Sequence, residues 1–341
     1  MGLGASYWQT RFRRWGPSNP LEDGYTLLVP VPGDLPVFLD LALSVCRRQA
    51  SDQRIETLVI PDVRTHTIET SVARAKPDWP GPLRILDLPV PERWILPRLR
   101  NPGRNHGVQL IAGLRQVKST YVILHDADLF LFDDEAHEEQ FAHARDKGLD
   151  VLGVSEPWDP WFASHGKSLA ATWEMCARTD WFRAFPPHRH IGHDAMMNGE
   201  LHTFDTTFWA QSHTEPEHIA VRALGAGMVH FNYVISTYRN FQRHGPAFRD
   251  PQFRLLLTRL FIDLFDNGGT EYAVPSMQVL GSQIGHAGAV VRYEDSDRDN
   301  YHSFRRNVDA VIEGPWSSGD RRERAREALE AFDSYYEVDK P

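Results

Sequence analysis

Hydrophobic positions in this chain fall into short unbroken runs that alternate with stretches of helical spacing. Thr26-Leu27-Leu28-Val29 is apolar without the alternation of a half-exposed strand, so it predicts a strand covered on both faces. Pro30 to Gly33 reads as a loop. Asp34 then sits where a helix cap belongs, Pro36 falls in the first turn, and the helix runs to about Ala50 with Val37, Phe38, Leu41, Leu43 and Val45 broadly on one side. Arg47 and Arg48 close it at the end that favours cations. Thr57-Leu58-Val59-Ile60 predicts a second strand, stopped by Pro61 with Asp62 at its tip, and Leu83 to Leu86 predicts a third after a Pro-rich loop. Val108, Ile111, Leu114 and Val117 space a helix over 107–117. It leads into the strand Thr120-Tyr121-Val122-Ile123-Leu124, which ends in His125-Asp126-Ala127-Asp128.

Further along, Phe130 to Phe132 reads as a continuation of the sheet, Glu135 to Lys147 as a helix ended by Gly148, and Val151 to Val154 and Ala170 to Cys176 as strands. The stretch from Pro157 to Gly199 is rich in Trp, His and Pro and reads as a binding loop system. A helix opens at Asp205, a short apolar run leads to His230, Pro251 to Leu264 is an amphipathic helix, and Asp320 to Tyr336 is a charged one. Strand, helix, strand, loop, helix, strand is the alternation of an α/β fold with a mostly parallel central sheet and helices on both faces. Ligands collect at the carboxyl ends of the strands in such sheets, and Asp62, Asp126 and Asp128 all lie there. The organisation expected is an aromatic N-terminal arm over 1–24, a main domain over 25–250 and a mainly helical C-terminal extension over 251–341.

Composition narrows the partners. With 341 residues, 41% of them hydrophobic, the chain can bury a large core. A formal charge of −9 and the lack of a long basic stretch argue against nucleic-acid binding. The two cysteines, Cys46 and Cys176, form neither a disulfide framework nor a zinc spacing, so a reducing compartment is the default. No apolar run approaches about 18 residues and no signal pattern opens the chain. The expectation is a cytoplasmic protein without an integral membrane segment.

Asp126 and Asp128, two apart on an extended chain, point the same way and repel each other unless a cation lies between them. Their all-oxygen chemistry suits Mn2+ or Mg2+, which share their remaining positions with water and phosphate oxygens. Solvated turn acids are the plainer alternative, since Asp-x-Asp is common.

These elements, in this order, resemble a glycosyltransferase of the GT-A fold, family 2 type. The resemblance runs from about Tyr25 to Phe241. It rests on the Val29-Pro30-Val31 turn, Asp62 after the second strand, the helix start Asn105-His106-Gly107, Asp126-Ala127-Asp128, then Asp205 and His230. It implies a metal-dependent transfer of sugar from a nucleotide-diphosphate donor, UDP- or GDP-linked, to a hydroxyl of a small-molecule or glycan acceptor. Pro30, Val31, Asp62, Asn105, Gln109, Asp126 and Ala127 would then hold the nucleotide sugar. Asp128, Asp126 and His230 would hold the metal, and Asp205 would act as the carboxylate base of an inverting reaction. Asp62 and Asp205 also suit a turn acid and a helix cap, and Asn105 a cap.

Phe204 departs from the family pattern, standing where the first of two acids would be, and this leaves the base assignment open. Asp194 and Glu156 are backup bases. Trp158, Trp161, Glu174 and Arg189 are the acceptor candidates, and Tyr238 and Arg239 lie within sequence reach of the diphosphate. His188, His190 and His193 lack the second ligand pair of a zinc site. A nucleotidyltransferase would carry a basic Gly-rich loop after strand one, which Pro30-Val31-Pro32-Gly33-Asp34 is not, and a serine hydrolase would carry a Gly-x-Ser-x-Gly elbow. A non-catalytic nucleotide-sugar binder is the reading that the loss of an acid at Phe204 keeps open.

Overall fold

The structure is a computed structural model that describes residues 3–17, 20–99, 102–155, 160–222, 227–244, 252–267, 270–276, 280, 295–316 and 319–336. Among the described residues, seven strands form a central sheet: β1 (Glu22–Val31), β2 (Arg54–Pro61), β3 (Leu83–Ile85), β4 (Ser119–His125), β6 (Val151–Ser155), β7 (Ala170–Arg178) and β10 (Ile219–Arg222). Their order is β10-β6-β7-β4-β1-β2-β3, all neighbours parallel except β7, which runs antiparallel to β4 and β6. This is the mostly parallel α/β sheet that the resemblance implies.

The central strands read as unbroken hydrophobic runs because both faces are buried. Leu27, Val29, Val59 and Ile123 enter one core, while Leu28, Leu58, Ile60, Val122 and Leu124 enter the other. On the first face lie α2 (Pro36–Cys46), α3 (His66–Ala75) and α6 (Ala136–Asp146), joined by α10 (Val234–His244), α11 (Gln252–Phe265), α12 (Asp295–Glu313) and α13 (Gly319–Tyr336). The second face is covered by α1 (Leu3–Arg11), α4 (Val90–Leu99), α5 (Pro102–Leu114) and α8 (Thr179–Ala184). Burial of each such Leu or Ile contributes on the order of 2 kcal/mol, so both faces bind their helices firmly. The C-terminal helices share the first core, with Phe38 of α2 edge-on to Phe261 of α11 at 6.0 Å.

Two expectations are corrected. Asp34 does not cap α2: Leu35 occupies that position without a side-chain hydrogen bond, and the Asp34 carboxylate instead accepts from Arg239 at 2.8 Å. Phe130 to Phe132 does not extend the sheet. Its β5 (Leu129–Leu131) pairs antiparallel with β11 (Met228–His230) as a separate ribbon, because the turn at Asp126 to Asp128 directs the chain away from the sheet plane. A second ribbon, β8 (His193–Met197) with β9 (Glu200–Phe204), stands between α8 and the short helix α9 (Phe208–Ser212), while α7 (Pro160–Ser164) precedes β7.

Candidate active site

The carboxyl ends of β1, β2 and β4 open into one cavity of about 330 Å3. Pro30, Val31, Asp62, Asn105, Gln109, Asp126, Ala127, Asp128, Asp205 and His230 all line it. They arrive from six parts of the chain: the end of β1, the tip after β2, α5, the turn after β4, the tip after β9 and the end of β11. Asp126 and Asp128 sit on the turn after β4, whose chain is fixed by the Asp126 N–H donating to the Trp173 carbonyl at 3.0 Å. His230 is the last residue of β11, and the ribbon register sets it opposite Leu129, next to Asp128. Its Nε2 lies 3.3 Å from Asp128 Oδ1, and its ring stacks on Trp173 at 4.3 Å.

The carboxylates of Asp126 and Asp128 and the imidazole of His230 can place one ligand atom each within 4.8 Å of one another. Two carboxylate oxygens and one imidazole nitrogen fit a Mn2+-type ion better than Mg2+, which favours oxygen alone. Asp128 is only 6% exposed, a buried setting in which a carboxylate gains from a counter-charge.

His106 stands beside Asn105 in the first turns of α5 and lines the cavity. Its Nε2 lies 3.3 Å from Asp126 Oδ1, close enough for an ion pair though not aligned as a hydrogen bond. Burial lowers its pKa, but Asp126, helped by Asp205 and Asp128, outweighs burial and holds the imidazole above its ordinary value. Burial correspondingly raises the Asp126 carboxyl, and His106 outweighs that, leaving Asp126 below its usual range. The signal was present in the sequence, since His106 shares the first turns of α5 with Asn105.

Asp62 and Gln109 are more engaged with the protein than a pure ligand-binding role requires. Asp62 Oδ1 accepts from the Gly33 N–H at 2.8 Å, and Oδ2 accepts from Asn105 Nδ2 at 3.2 Å and Arg239 Nη2 at 3.3 Å. Gly33 has no room for a side chain, since a Cβ there would meet the Val63 carbonyl oxygen at 1.7 Å. The Gln109 amide donates to the carbonyls of Val31 and Ile60, tying α5 to the ends of β1 and β2. Asn105 thus orients Asp62 rather than capping α5, which begins at Pro102.

Asp205 follows β9 and borders the cavity beside Phe208; its Oδ1 accepts from the Thr206 N–H at 2.7 Å. It does not cap α9, whose cap position is Thr207 in the left-handed region at φ 64°. Phe204 is turned inward and packs edge-on and tilted among His202, Phe162 and Phe208. Tyr233, also left-handed at φ 67° and 57% exposed, forms part of the rim where β11 passes into α10. Strained, exposed residues of this kind cluster at ligand sites.

The acceptor candidates divide. Glu174 is fully buried behind β4 and does not line the cavity; burial, eased by Arg222, pushes its carboxyl up to about 8. Arg189 stacks its guanidinium over Trp209 at 4.2 Å, away from the cavity lining. Asp194 accepts from Thr203 Oγ1 at 2.7 Å within the β8–β9 ribbon and is likewise outside it. Tyr238 is buried with its hydroxyl accepting from Gln242, whereas Arg239 does reach the cavity. Glu156 and Trp158 lie outside the described residues, as does the side chain of Trp161. Thr172, Trp173, Asn232 and Ser236 line the cavity without having been anticipated.

No protein-family model and no curated protein matches the chain. Among solved structures it is similar to S. aureus TarS 1-349, at 14% identity over 92% of this chain and 81% of that one, with a TM-score of 0.39. It is similar to glucosyl-3-phosphoglycerate synthase from Mycobacterium tuberculosis, in complex with Mn2+, uridine diphosphate and phosphoglyceric acid, at 13% identity over 68% and 82% of the two chains, with a TM-score of 0.43. The galactosyltransferase LgtC in complex with donor and acceptor sugar analogues is similar at 11% identity over 48% and 62%, with a TM-score of 0.36. Likenesses this distant leave the chemistry to be argued from the cavity itself.

Proposed function

We propose that this chain is a metal-dependent glycosyltransferase that moves a sugar from a nucleoside-diphosphate donor to a hydroxyl acceptor. The observation that carries this reading is the convergence of Asp126, Asp128 and His230 in one cavity, with Asp62 at one flank and Asp205 at another. Those three side chains would hold a divalent cation, and the cation would supply positive charge to the diphosphate as it leaves. Asp62, paired with Arg239, offers its remaining acceptor capacity to the N–H edge of a uracil or guanine. Arg239 and Asn105 hold it in orientation. Asp205 accepts the proton of the attacking hydroxyl while the bond from the sugar to the diphosphate breaks and a new one forms to the acceptor oxygen.

His106 fixes the Asp126 carboxylate by charge, so that the acid stays ionised in a partly closed site. The residues from 25 to 250 serve as the donor-binding and catalytic domain. The C-terminal helices of 251–341 brace it, and the N-terminal arm covers the opposite face. Nucleotide sugars are cytoplasmic metabolites, and we place the enzyme in that compartment. No helix of the described residues is long and apolar enough to cross a membrane.

The burial of Phe204 at 1% exposure, where the first of two acids would stand, favours one rival: a nucleotide-sugar binder without a base. Incubation of the purified chain with a panel of UDP- and GDP-sugars and Mn2+, with and without chelator, decides the matter. Metal-dependent binding with slow donor hydrolysis or transfer is expected. Absence of any metal-dependent nucleotide-sugar binding sinks both readings, and binding without turnover on any acceptor favours the rival.

A further inference from the structure

Behind the cavity, on the far side of β4, four polar side chains meet in the core. His125 ends β4 and lies opposite Glu174 of β7 in the antiparallel register. His137 and Gln140, three apart and so on one face of α6, approach from above. His125, His137 and Glu174 are 0% exposed, and Gln140 is 1% exposed. Both nitrogens of each histidine, both oxygens of Glu174 and Oε1 of Gln140 are buried without a hydrogen-bond partner.

Native cores leave only a few buried polar atoms unsatisfied per hundred residues, and each costs about 1–3 kcal/mol. Seven such atoms in one knot describe a site whose occupant supplies the missing partners. Its shape favours a cation. One ligand atom from each of His125, His137 and Glu174 falls within 4.8 Å of the others, with His125 Nδ1 at 3.9 Å from Glu174 Oε2 and the two imidazoles crossed at 88° with centroids 5.5 Å apart. A tetrahedral zinc at about 2.0–2.1 Å from each ligand asks for ligand spacings of roughly 3.3 Å, which small side-chain rotations supply.

We propose that His125, His137 and Glu174 bind a structural Zn2+, with the carbonyl oxygen of Gln140 or a buried water as fourth ligand. Two imidazoles and one carboxylate are a borderline-soft donor set that suits zinc and suits neither Mg2+ nor Ca2+. The buried, closed setting matches a structural site, not a catalytic one. The ion would pin α6 to the β4–β7 pair, and through His125 it would steady the turn that begins at the next residue, Asp126. This site is separate from the cavity ligands and does not depend on the glycosyltransferase reading. Internal water bridging to the nearby Arg222 guanidinium, whose Nε and Nη2 are also buried without partners, is the competing occupant.

The test is the metal content of the full chain, purified without chelator from zinc-supplemented cells and dialysed. The expected result is about one zinc per chain, retained when the cavity ligands are removed together in an Asp128→Ala/His230→Ala variant. His137→Leu and Glu174→Gln are each expected to lower zinc content at least about tenfold. Should those variants fail to fold, cobalt substitution of the Asp128→Ala/His230→Ala protein reads the same site, with the intense visible bands of four-coordinate Co2+ expected. Zinc below about a tenth of an equivalent in the wild-type chain overturns the proposal. So does zinc that survives His137→Leu, or cobalt that shows only weak six-coordinate bands.

Discussion

His230 Nε2 and Asp128 Oδ1 lie 3.3 Å apart, and neither residue belongs to the central sheet. Asp128 belongs to the turn after β4, and His230 to a strand more than a hundred positions later in the sequence, which meets it only through the three-residue ribbon of β5 and β11. The pair is therefore a product of tertiary pairing. Trp173, stacked on the imidazole, fixes the ring plane that this pairing leaves free.

From this follows the first expectation. Asp128→Asn keeps the shape of the turn and removes a charge, so divalent-cation-dependent binding of UDP or GDP should weaken by about 100-fold or more while the circular dichroism spectrum is retained. His230→Ala removes one neutral ligand and should cost at least about tenfold in Mn2+ affinity. Titration calorimetry with each nucleotide, at several Mn2+ concentrations, measures both. Equal Mn2+ dependence in wild type and Asp128→Asn would move the metal elsewhere.

Arg239 spans Asp34 at 2.8 Å and Asp62 at 3.3 Å. Its removal leaves the Asp62 carboxylate, 5% exposed, buried without a compensating charge. Arg239→Ala should destabilise the fold by about 1–3 kcal/mol and weaken nucleotide binding without changing Mn2+ affinity. Arg239→Lys should recover only part of this, because one ammonium does not reproduce a guanidinium fork between two carboxylates. Denaturant unfolding together with nucleotide titration separates the two effects. Arg239→Ala with unchanged stability and unchanged nucleotide affinity would reduce the contact to a surface ion pair.

The sheet and its acids were legible in the sequence because doubly buried parallel strands read as continuous hydrophobic runs. Tip residues such as Asp62 and Asp126 interrupt those runs where they end. The parts that were not legible depend on distant pairing. Asp34 looks like a cap until Arg239, about two hundred residues on, takes its carboxylate. Phe130 to Phe132 looks like sheet, because nothing local reveals that its partner is Met228 to His230. Glu174 looks like an acceptor-side acid, but the antiparallel pairing of β7 with β4 sets it opposite His125 inside the core. Proline-bearing α4 carries only a weak helical pattern, whereas α10 does space Val234, Tyr238 and Phe241 along one helical face, a signal hidden by the polar residues around it.

His190 contributes to the acid response away from the cavity. It is 0% exposed, its Nε2 meets the Phe182 carbonyl at 2.9 Å, and burial lowers its pKa to about 4. The unfolded chain binds this proton near pH 6.5 and the native one does not until about pH 4. Between those values the unfolded state holds more protons, so stability rises with pH and falls on acidification. The loss approaches about 3 kcal/mol below pH 4 as an order of magnitude. His188 and His193 are shifted down by burial too and add in the same direction. His190→Gln should flatten the slope of unfolding free energy against pH across this window by up to about 1.4 kcal/mol per pH unit. An unchanged slope in urea melts at intervals from pH 4 to 7 would show that His190 titrates normally in the native protein.

Asp205→Asn tests the chemistry itself. The carboxylate borders the cavity and accepts from the Thr206 N–H, a bond that the amide oxygen of asparagine keeps, so the variant retains the loop and loses only the proton acceptor. If Asp205 is the base, kcat for transfer should drop by about 100-fold or more, the usual share of general-base catalysis, while nucleotide-sugar affinity and Mn2+ dependence stay within about twofold of wild type. Slow hydrolysis of the donor should persist, because stabilising the departing diphosphate does not use Asp205. An equal loss of affinity and turnover would instead make Asp205 a donor contact. A variant indistinguishable from wild type in both would leave the cavity without a base among its acids, since Asp126 and Asp128 face the proposed metal position and Asp62 is tied to Arg239. In that outcome the cavity's acids support binding and leaving-group departure only, and the buried Phe204 marks a chain that holds nucleotide sugars without activating an acceptor.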